Sequence, residues 1–236
     1  MSKQISQMIE EQVRSWMIKS SSSQPDFSQS RSKPIITISR EYGAKGAALA
    51  ALLGQQLNFT VWDKDLLQVI SNTLGNDPEF LAKIDERKRN AVEDMVMGFI
   101  NNPGTNLNYL ITLTKTLKAI ERLGNSLIVG RGANYICTQP SSFHVRVVCP
   151  LPTRIARIGE KEHLTRDKAR QLIQQKDEER TYFSLYHFKR DCTDPRDYHM
   201  ILNSERFNLE EMARLVTEAY EVYSQSTIWS FSSTST

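Results

Sequence analysis

The sequence predicts a three-layer α/β domain built on a parallel sheet of about five strands. Short apolar, β-branched runs recur along the chain, and stretches with helical spacing lie between them, which is typical of a parallel sheet covered by helices. This order also implies right-handed crossovers between the strands. With 236 residues, of which 39% are hydrophobic and 24% charged, the chain is long enough for one such domain and an appendage.

The first strand and helix are predicted within residues 34–57. Ile35 to Ile38 form a β-branched run, the composition of a strand that is buried on both faces. Residues 47–57 are small and leucine-rich, which favours a helix packed closely on a sheet. The turn between them contains Gly43 and Gly46. Backbone amides at such a turn can bind a phosphate, although a plain strand-to-helix turn with capping glycines is the alternative.

Charged residues follow the ends of two further predicted strands, where open parallel sheets bind ligands. Asp63 and Lys64 follow the second strand, but Asp63 could equally cap a helix that begins near Leu66. Arg131 follows the third strand between two glycines, and its planar guanidinium matches phosphate oxygens in pairs. The strands after the first are predicted from four apolar runs: Phe59–Trp62, Ser126–Val129, Phe143–Cys149 and His199–Leu202.

The segments between and after these strands are predicted to be helical. Residues 66–123 form a long polar insertion, whose charge run at residues 85–89 is typical of a solvated helix face. Beyond the fourth strand, Arg154 and Arg157 share a helix face, and they either surround a site or pair with neighbouring glutamates. A closing helix is predicted at residues 209–223, and the serine- and threonine-rich tail after it is expected to be disordered.

The first 33 residues are predicted to form an arm outside the main domain, which would span residues 34–236. Residues 5–17 carry apolar side chains on one face of an amphipathic helix, and seven of the fifteen residues at 19–33 are serine, as in a flexible linker. We interpret the helix as one that docks on its own domain or pairs in a homodimer. The alternative is a membrane-surface or partner-binding helix, and Glu10 and Glu11 dilute the basic character that a membrane-surface helix requires.

Composition disfavours several classes of protein. A net charge of +3 is too small to predict nucleic-acid binding. The three cysteines are far apart, which predicts neither a disulfide framework nor a zinc site. We expect no metal site of the protein's own at Asp191, Asp194 and Asp197, because the other ligands of a calcium loop are missing. Without a long apolar run or a signal peptide, the chain is predicted to be cytoplasmic.

Five motifs in the chain resemble those of one known family. They are ISREYGAKG at residues 38–46, VWDKDLL at 61–67, IVGRGANYI at 128–136, FHVRVVCPLPTRIARI at 143–158 and DPRDYHMILNSERF at 194–207. Their order and spacing resemble the cytidylate kinase-like family, a branch of the P-loop nucleoside monophosphate kinases, over most of the chain. The resemblance implies a P-loop kinase-like fold and transfer of the γ-phosphoryl group of ATP, with Mg²⁺, to an acceptor such as CMP or dCMP.

The resemblance also implies roles for single residues. Asp63 and Lys64 would lie at the edge of the monophosphate pocket, and Arg131 would hold the acceptor. Arg154 and Arg180 would stabilise the transferring phosphoryl group, because phosphoryl transfer depends on positive charge around its oxygens. Arg180 has the D-x-x-R-x-Y spacing of the lid in such kinases. The donor loop would comprise Arg40, Tyr42, Gly43, Ala44, Gly46 and Ala47.

The loop departs from the consensus G-x-x-x-x-G-K-[ST]. Gly46 stands at the position of the usual lysine and Ala47 at that of the hydroxyl, while Lys45 lies one residue early. Lys45 or Arg40 could replace the missing charge, since a long side chain can reach from a neighbouring position. The aspartate that usually follows the Gly-Arg pair is Gly132 here, which weakens the case for cytidine. A non-catalytic nucleotide-binding or interaction protein and a kinase of another small acceptor are therefore the alternatives.

Overall fold

The computed structural model of the chain describes residues 35–63 and 107–232. The predictions for the N-terminal arm, for Lys64 and for the charge run at residues 85–89 lie outside this part. The chain divides into two units, one comprising Met1–Lys33 with Lys64–Gly124 and the other Pro34–Asp63 with Asn125–Thr236. In the first unit, the described helix carries buried apolar side chains at helical spacing: Leu110, Leu113, Leu117 and Ile120.

The second unit contains a five-stranded parallel sheet, which confirms the predicted fold class. Each strand overlaps the apolar run that predicted it, although β1 extends two residues further, to Arg40, and β5 begins one residue later, at Met200. The strands are β1 Ile35–Arg40, β2 Thr60–Trp62, β3 Ser126–Val129, β4 Ser142–Val148 and β5 Met200–Asn203.

The described helices alternate with these strands, as the sequence predicts. The last helix continues to Ser232, so the expectation of disorder directly after Ser224 is wrong for this stretch. Serine and threonine lower helix propensity only slightly, and no glycine or proline occurs at residues 224–232 to end the helix. The helices are α1 Gly46–Leu57, α2 Leu107–Leu123, α3 Ala133–Ile136, α4 Leu151–Lys161, α5 Arg166–Phe188 and α6 Leu209–Ser232. None of these described helices is long and apolar enough to cross a membrane.

The order of the strands places a crevice at the carboxyl ends of β1 and β4. The spatial order is β2-β3-β1-β4-β5, so β1 lies in the centre. The chain leaves β1 towards β2 on one side and leaves β4 towards β5 on the other. Neighbouring strands whose connections run in opposite directions form the crevice in which open α/β sheets bind their ligands.

The two faces of the sheet differ in polarity because side chains alternate along a strand. One face packs against α1 and α6 through an apolar cluster that includes Ile36, Ile38, Leu53, Val147 and Met212. The opposite face carries polar pairs between β1 and β4, in the register Thr37 with His144 and Ser39 with Arg146. Both pairs are hydrogen-bonded, at 2.8 Å from Thr37 Oγ1 to His144 Nδ1 and 3.2 Å from Arg146 Nη1 to Ser39 Oγ.

We expect the free energy of unfolding to fall as the pH drops from about 6.5 towards 4, because of His144. Burial, and secondly the adjacent His199, lower the pKa of His144 from 6.5 to about 4. The folded state therefore holds a neutral imidazole, and its contribution is complete above pH 6.5 and lost as the pH falls towards 4. The slope should approach about 1.4 kcal/mol per pH unit. Urea denaturation between pH 7.5 and 4.5 measures it.

The control for this prediction is the exposed His163, which lies in a turn with a φ of 53°. His163→Asn suits this backbone conformation and should leave the pH dependence as in the wild type. His144→Gln should reduce the slope, and the remainder is expected from His187 and His199, whose pKa values are also lowered by burial. Equal slopes in both variants would contradict the assignment to His144.

Candidate phosphate-binding site

The turn between β1 and α1 presents the amino end of a helix to the crevice. Lys45 is the N-cap residue of α1, with a φ of 63°, and its side chain does not cap the helix. The first-turn amides of Gly46, Ala47 and Ala48 therefore lack both a helical acceptor and a capping side chain. These amides and the helix dipole favour an anion at this position. The Lys45 side chain is exposed and has no hydrogen-bond or ion-pair partner among the described residues.

The turn is held in place by Arg154, a buried residue of α4. Its Nε donates to the Cys149 carbonyl at 2.8 Å, and its Nη1 donates to the Tyr42 carbonyl at 3.2 Å. The guanidinium also pairs with Asp177 and lies 3.6 Å from Glu41 Oε2. Asp177 accepts in addition from the Tyr42 backbone amide at 2.8 Å. The charge of Arg154 is thus balanced by carboxylates, and its contacts fix the path of the turn.

Four other arginines of the crevice form no ion pair, of the kind that Arg154 forms, with any described carboxylate. No carboxylate in the described part of the chain forms an ion pair with any of them. Each instead contacts a backbone carbonyl, a hydroxyl, an aromatic ring or another arginine. Positive charges that are buried, as in Arg146, or half-buried, as in the other three, are costly without counterions, and a phosphate group would neutralise them through charge-assisted hydrogen bonds. The four are Arg40, Arg131, Arg146 and Arg180.

Arg40 and Arg180 are neighbours at the end of β1. Arg180 Nη1 donates to the Arg40 carbonyl at 2.9 Å, and its guanidinium lies 5.4 Å from the centre of the Tyr42 ring. The pKa of Arg40 is lowered to about 10, chiefly by burial and then by the charges of Arg180 and Arg131, while Asp63 raises it. Burial also lowers the pKa of Arg180. The exposed Asp63, at the end of β2, is therefore near enough to Arg40 to affect its charge.

The turn after β3 leaves space for the side chains of Arg40 and Phe188. Gly130, Arg131 and Gly132 have φ values of 81°, 56° and 66°, a conformation that glycine adopts without strain. A Cβ atom on Gly130 would lie 2.1 Å from Arg40 Nη1, and one on Gly132 would lie 2.1 Å from the Phe188 ring. The glycine at position 132 thus accommodates Phe188, which occupies the space beside it.

Two buried donors near this turn lack a partner. Arg131 Nε and Asn134 Nδ2 are enclosed and have no hydrogen-bond acceptor, which costs about 1–3 kcal/mol for each group. The Arg131 guanidinium lies 5.7 Å from the centre of the Phe183 ring. A ligand that carries oxygen acceptors beside a flat group would accept hydrogen bonds from both donors and pack its flat face against the Phe183 ring.

The other sequence-predicted residues lie apart from these charges or have structural partners. Arg157 donates to the Ser204 hydroxyl at 3.0 Å and to the Ser204 carbonyl at 2.7 Å, so it joins α4 to the end of β5. Asp191 accepts from the Thr193 amide at 2.8 Å and stabilises a turn. Gly43 and Ala44 lie within the turn of the crevice, where Ala44 is fully buried.

Sequence analysis assigned no role to Arg146 or Asn134. Arg146 was included in the apolar run that predicts β4, and Asn134 follows Arg131 by three residues. A charged residue inside a buried strand was the available signal for Arg146, because arginine is almost never fully buried unless paired. For Asn134 the sequence offers no comparable signal, since asparagine is common at helix ends.

Comparisons with known proteins agree with this architecture. Residues 35–206 match the model of the cytidylate kinase-like family. The structure superposes on that of an uncharacterized protein from Eubacterium ventriosum ATCC 27560 with a TM-score of 0.65 and 20% identity, covering 80% of this chain and 99% of that one. No curated protein matches the sequence.

Two kinases of known structure also match, with lower scores. A shikimate kinase from Bacteroides thetaiotaomicron has a TM-score of 0.44 and 16% identity, with 80% of this chain and 98% of that one covered. A gluconokinase from Sinorhizobium meliloti 1021 has a TM-score of 0.45 and 11% identity, with 85% and 99% covered. Of the three superpositions, the one on the Eubacterium protein is close enough to show a common fold.

Proposed function

The chain belongs to the cytidylate kinase-like family, and on that premise we propose that it transfers the γ-phosphoryl group of ATP to a nucleoside monophosphate, with CMP and dCMP as the first candidates. The observation that carries the proposal is the set of four arginines without counterions: Arg40, Arg131, Arg146 and Arg180. They lie around the carboxyl ends of the central strands, where ligands of open α/β sheets bind. Two phosphorylated substrates would supply the missing negative charge.

The donor side fits the phosphates of ATP. The amino end of α1 offers free backbone amides, and a Cβ atom on Gly46 would lie 2.6 Å from Arg40 Cβ, so the close approach there depends on glycine. P-loop kinases generally use ATP with Mg²⁺. The loop offers the ion no hydroxyl at the consensus position, because Ala47 stands where the consensus has serine or threonine and Ala48 follows it. Arginines would then carry more of the charge compensation.

The acceptor side is the turn after β3. Arg131 Nε and Asn134 Nδ2 would donate to acceptor oxygens, and Phe183 would support a flat group. Gly132 and the Phe188 ring beside it leave no carboxylate at the position that helps to read cytosine in related kinases. This supports testing several bases as acceptors.

In the proposed reaction, an oxygen of the acceptor phosphate attacks the γ-phosphorus of ATP. The bond from this phosphorus to the bridging oxygen breaks, and ADP leaves. Arg180 and Arg40 would stabilise the charge on the three oxygens of the transferring group, and Lys45 could reach the same group from the helix cap. Arg154 would act by holding the turn in position.

The test is ADP production from Mg-ATP with CMP, dCMP, UMP, AMP or GMP as acceptor. We expect turnover with at least one of them, and a loss of about a hundredfold or more in Arg131→Ala, because a charged hydrogen bond to substrate is removed. Arg170→Ala is the matched control, since Arg170 is exposed on α5 and should not affect the rate. Absence of turnover with every acceptor would overturn the proposal.

A second candidate function is nucleotide binding without catalysis. The observation in its favour is that the Tyr42 backbone amide, in the proposed donor loop, already donates to Asp177. This loop also lacks the usual lysine and hydroxyl. In that case ATP would raise the melting temperature although no acceptor gives turnover. A kinase of another small acceptor would give the same result with the five monophosphates and would be separated from it by a wider panel.

A further inference from the structure

Arg146 is a buried cation in the middle of the sheet. It belongs to β4 and is 5% exposed. Its Nη1 donates to Ser39 Oγ at 3.2 Å, and its guanidinium lies 5.6 Å from the centre of the Tyr198 ring. Arg146 also interacts with the Tyr198 side chain through a hydrogen bond, and its charge helps to lower the pKa of Asp191. No carboxylate of the described residues lies within ion-pair distance of it. Burial of an unpaired guanidinium costs several kcal/mol, so a purely structural role would be served better by an apolar residue.

The hydrogen bonds around Arg146 form a chain in which each hydroxyl has one donor role and one acceptor role. The Tyr198 hydroxyl lies 2.7 Å from the Cys192 carbonyl and 3.2 Å from Ser39 Oγ. Tyrosine has a single hydroxyl proton, and the shorter bond to Cys192 takes it. Ser39 then accepts from Arg146 and donates to Tyr198. This chain orients the guanidinium through its Nη1 and keeps it beside the Tyr198 side chain.

Arg146 also lies close to the charge of Arg180. The pKa of Arg180 is lowered chiefly by burial, with Arg146 and Arg154 contributing and Asp177 opposing them. Arg154 forms ion pairs with its carboxylates, whereas Arg146 and Arg180 have no described carboxylate within ion-pair distance, and Asp177 attracts Arg180 from further away. Arg131 lies on the other side, after β3, because β3 and β4 flank β1.

We propose that Arg146, together with Ser39 and Arg180, forms an oxyanion subsite in the crevice between β1 and β4, which binds a phosphate or carboxylate group of the acceptor and selects acceptors that carry it. The term acceptor rests on the proposed kinase function, whereas binding of the oxyanion does not. Arg146 acts here through direct contact with the ligand, and Ser39 acts by orienting it.

The test is calorimetric titration of the full chain with inorganic phosphate, and in a separate arm with malonate, in the presence of a saturating non-hydrolysable Mg-ATP analogue. The analogue occupies the donor loop, so the titration reports the remaining oxyanion site. We expect Arg146→Met to weaken phosphate binding by roughly 10- to 100-fold, the usual effect of removing a charged hydrogen bond. Arg146→Lys should recover part of the affinity. The exposed Arg170→Met makes the same charge change and should bind as the wild type does.

Tighter binding of malonate than of phosphate would assign the subsite to a carboxylate, and the reverse to a phosphate. If Arg146→Met does not fold, Arg146→Gln replaces it, because glutamine keeps a donor for Ser39. Equal affinity in the wild type and the neutral variant, or no binding by the wild type, overturns the subsite.

The subsite and the kinase function can fail separately. If an acceptor is phosphorylated and its KM is the same in the wild type and in Arg146→Met, the kinase function is supported and the subsite is rejected. If no acceptor gives turnover and the analogue does not bind, the titration without analogue still compares the variants. A weaker affinity for phosphate in Arg146→Met would then support the subsite while the kinase fails.

Discussion

Replacement of Arg154 by methionine should lower the free energy of unfolding by about 3 kcal/mol, the lower end of the usual cost of breaking a buried ion pair by removing one partner, because Arg154 is buried but its carboxylate partners are partly exposed. The guanidinium balances Asp177 and lies near Glu41, so its loss leaves two carboxylates without their cation. The carbonyls of Cys149 and Tyr42 lose their donor at the same time. Urea denaturation at pH 7 measures the change.

Arg157→Met is the matched control for this prediction, because it makes the same substitution one turn later on α4. Arg157 is bonded to the hydroxyl and carbonyl of Ser204 and pairs with no described carboxylate, so its loss should cost only about 1–3 kcal/mol. A double variant, Arg154→Met with Asp177→Asn, should recover part of the stability by removing the stranded charge. Equal effects of the two single variants would show that the carboxylates do not matter.

The contrast between these two arginines shows what the sequence could predict. Their three-residue spacing predicted that both lie on one face of a helix. In the structure they lie about one turn apart on α4. Their partners were beyond sequence reasoning, because Asp177 meets Arg154 only through the packing of α5 against α4, and Ser204 meets Arg157 only at the end of β5. The sequence therefore predicted a basic helix near the site but not which arginine carries a balanced charge.

Strands were predictable where local composition is strong. The run Ile35–Ile38 in β1 is β-branched throughout, and three of the four residues of β3 are apolar. Such runs specify buried parallel strands with little help from context. The pairing of Ser39 with Arg146 depends on the register between β1 and β4, which a parallel crossover sets over a distance of more than a hundred residues. The sequence therefore placed Arg146 in a strand, but it could not predict the hydrogen bond between Arg146 and Ser39.

Glycines in the site illustrate the same limit. The turn after β3 was interpreted from the sequence as a guanidinium flanked by small residues. The structure shows that Gly130 and Gly132 are required by particular neighbours, Arg40 and Phe188. Phe188 lies 56 residues further along the chain than Gly132, so only the folded arrangement of α5 over the turn reveals why an aspartate at position 132 would not fit.

Replacement of Arg180 by methionine should reduce kcat for phosphoryl transfer by about 10³-fold or more and leave stability nearly unchanged. An arginine that stabilises the transferring group contributes 10³- to 10⁵-fold in related chemistry. The same residue is half-buried, has no described carboxylate partner and lies beside Arg40. Its removal loses the hydrogen bond to the Arg40 carbonyl, the contact with the Tyr42 ring and the attraction of Asp177, and it relieves repulsion from Arg40, Arg146 and Arg154. These opposing changes should leave a small net effect on stability.

Because kcat is expected to fall while stability hardly changes, Arg180 tests whether the unbalanced arginines serve catalysis or the fold. A residue retained for folding would lower both stability and rate when it is removed, as we expect for Arg154. A residue retained for catalysis lowers the rate alone, which kcat and the urea midpoint measured on one preparation can separate. Arg170→Met, on the exposed face of the same helix, should change neither quantity. If Arg180→Met unfolds easily but turns over at the wild-type rate, then the unbalanced arginines serve the fold and the phosphoryl group is stabilised by other residues.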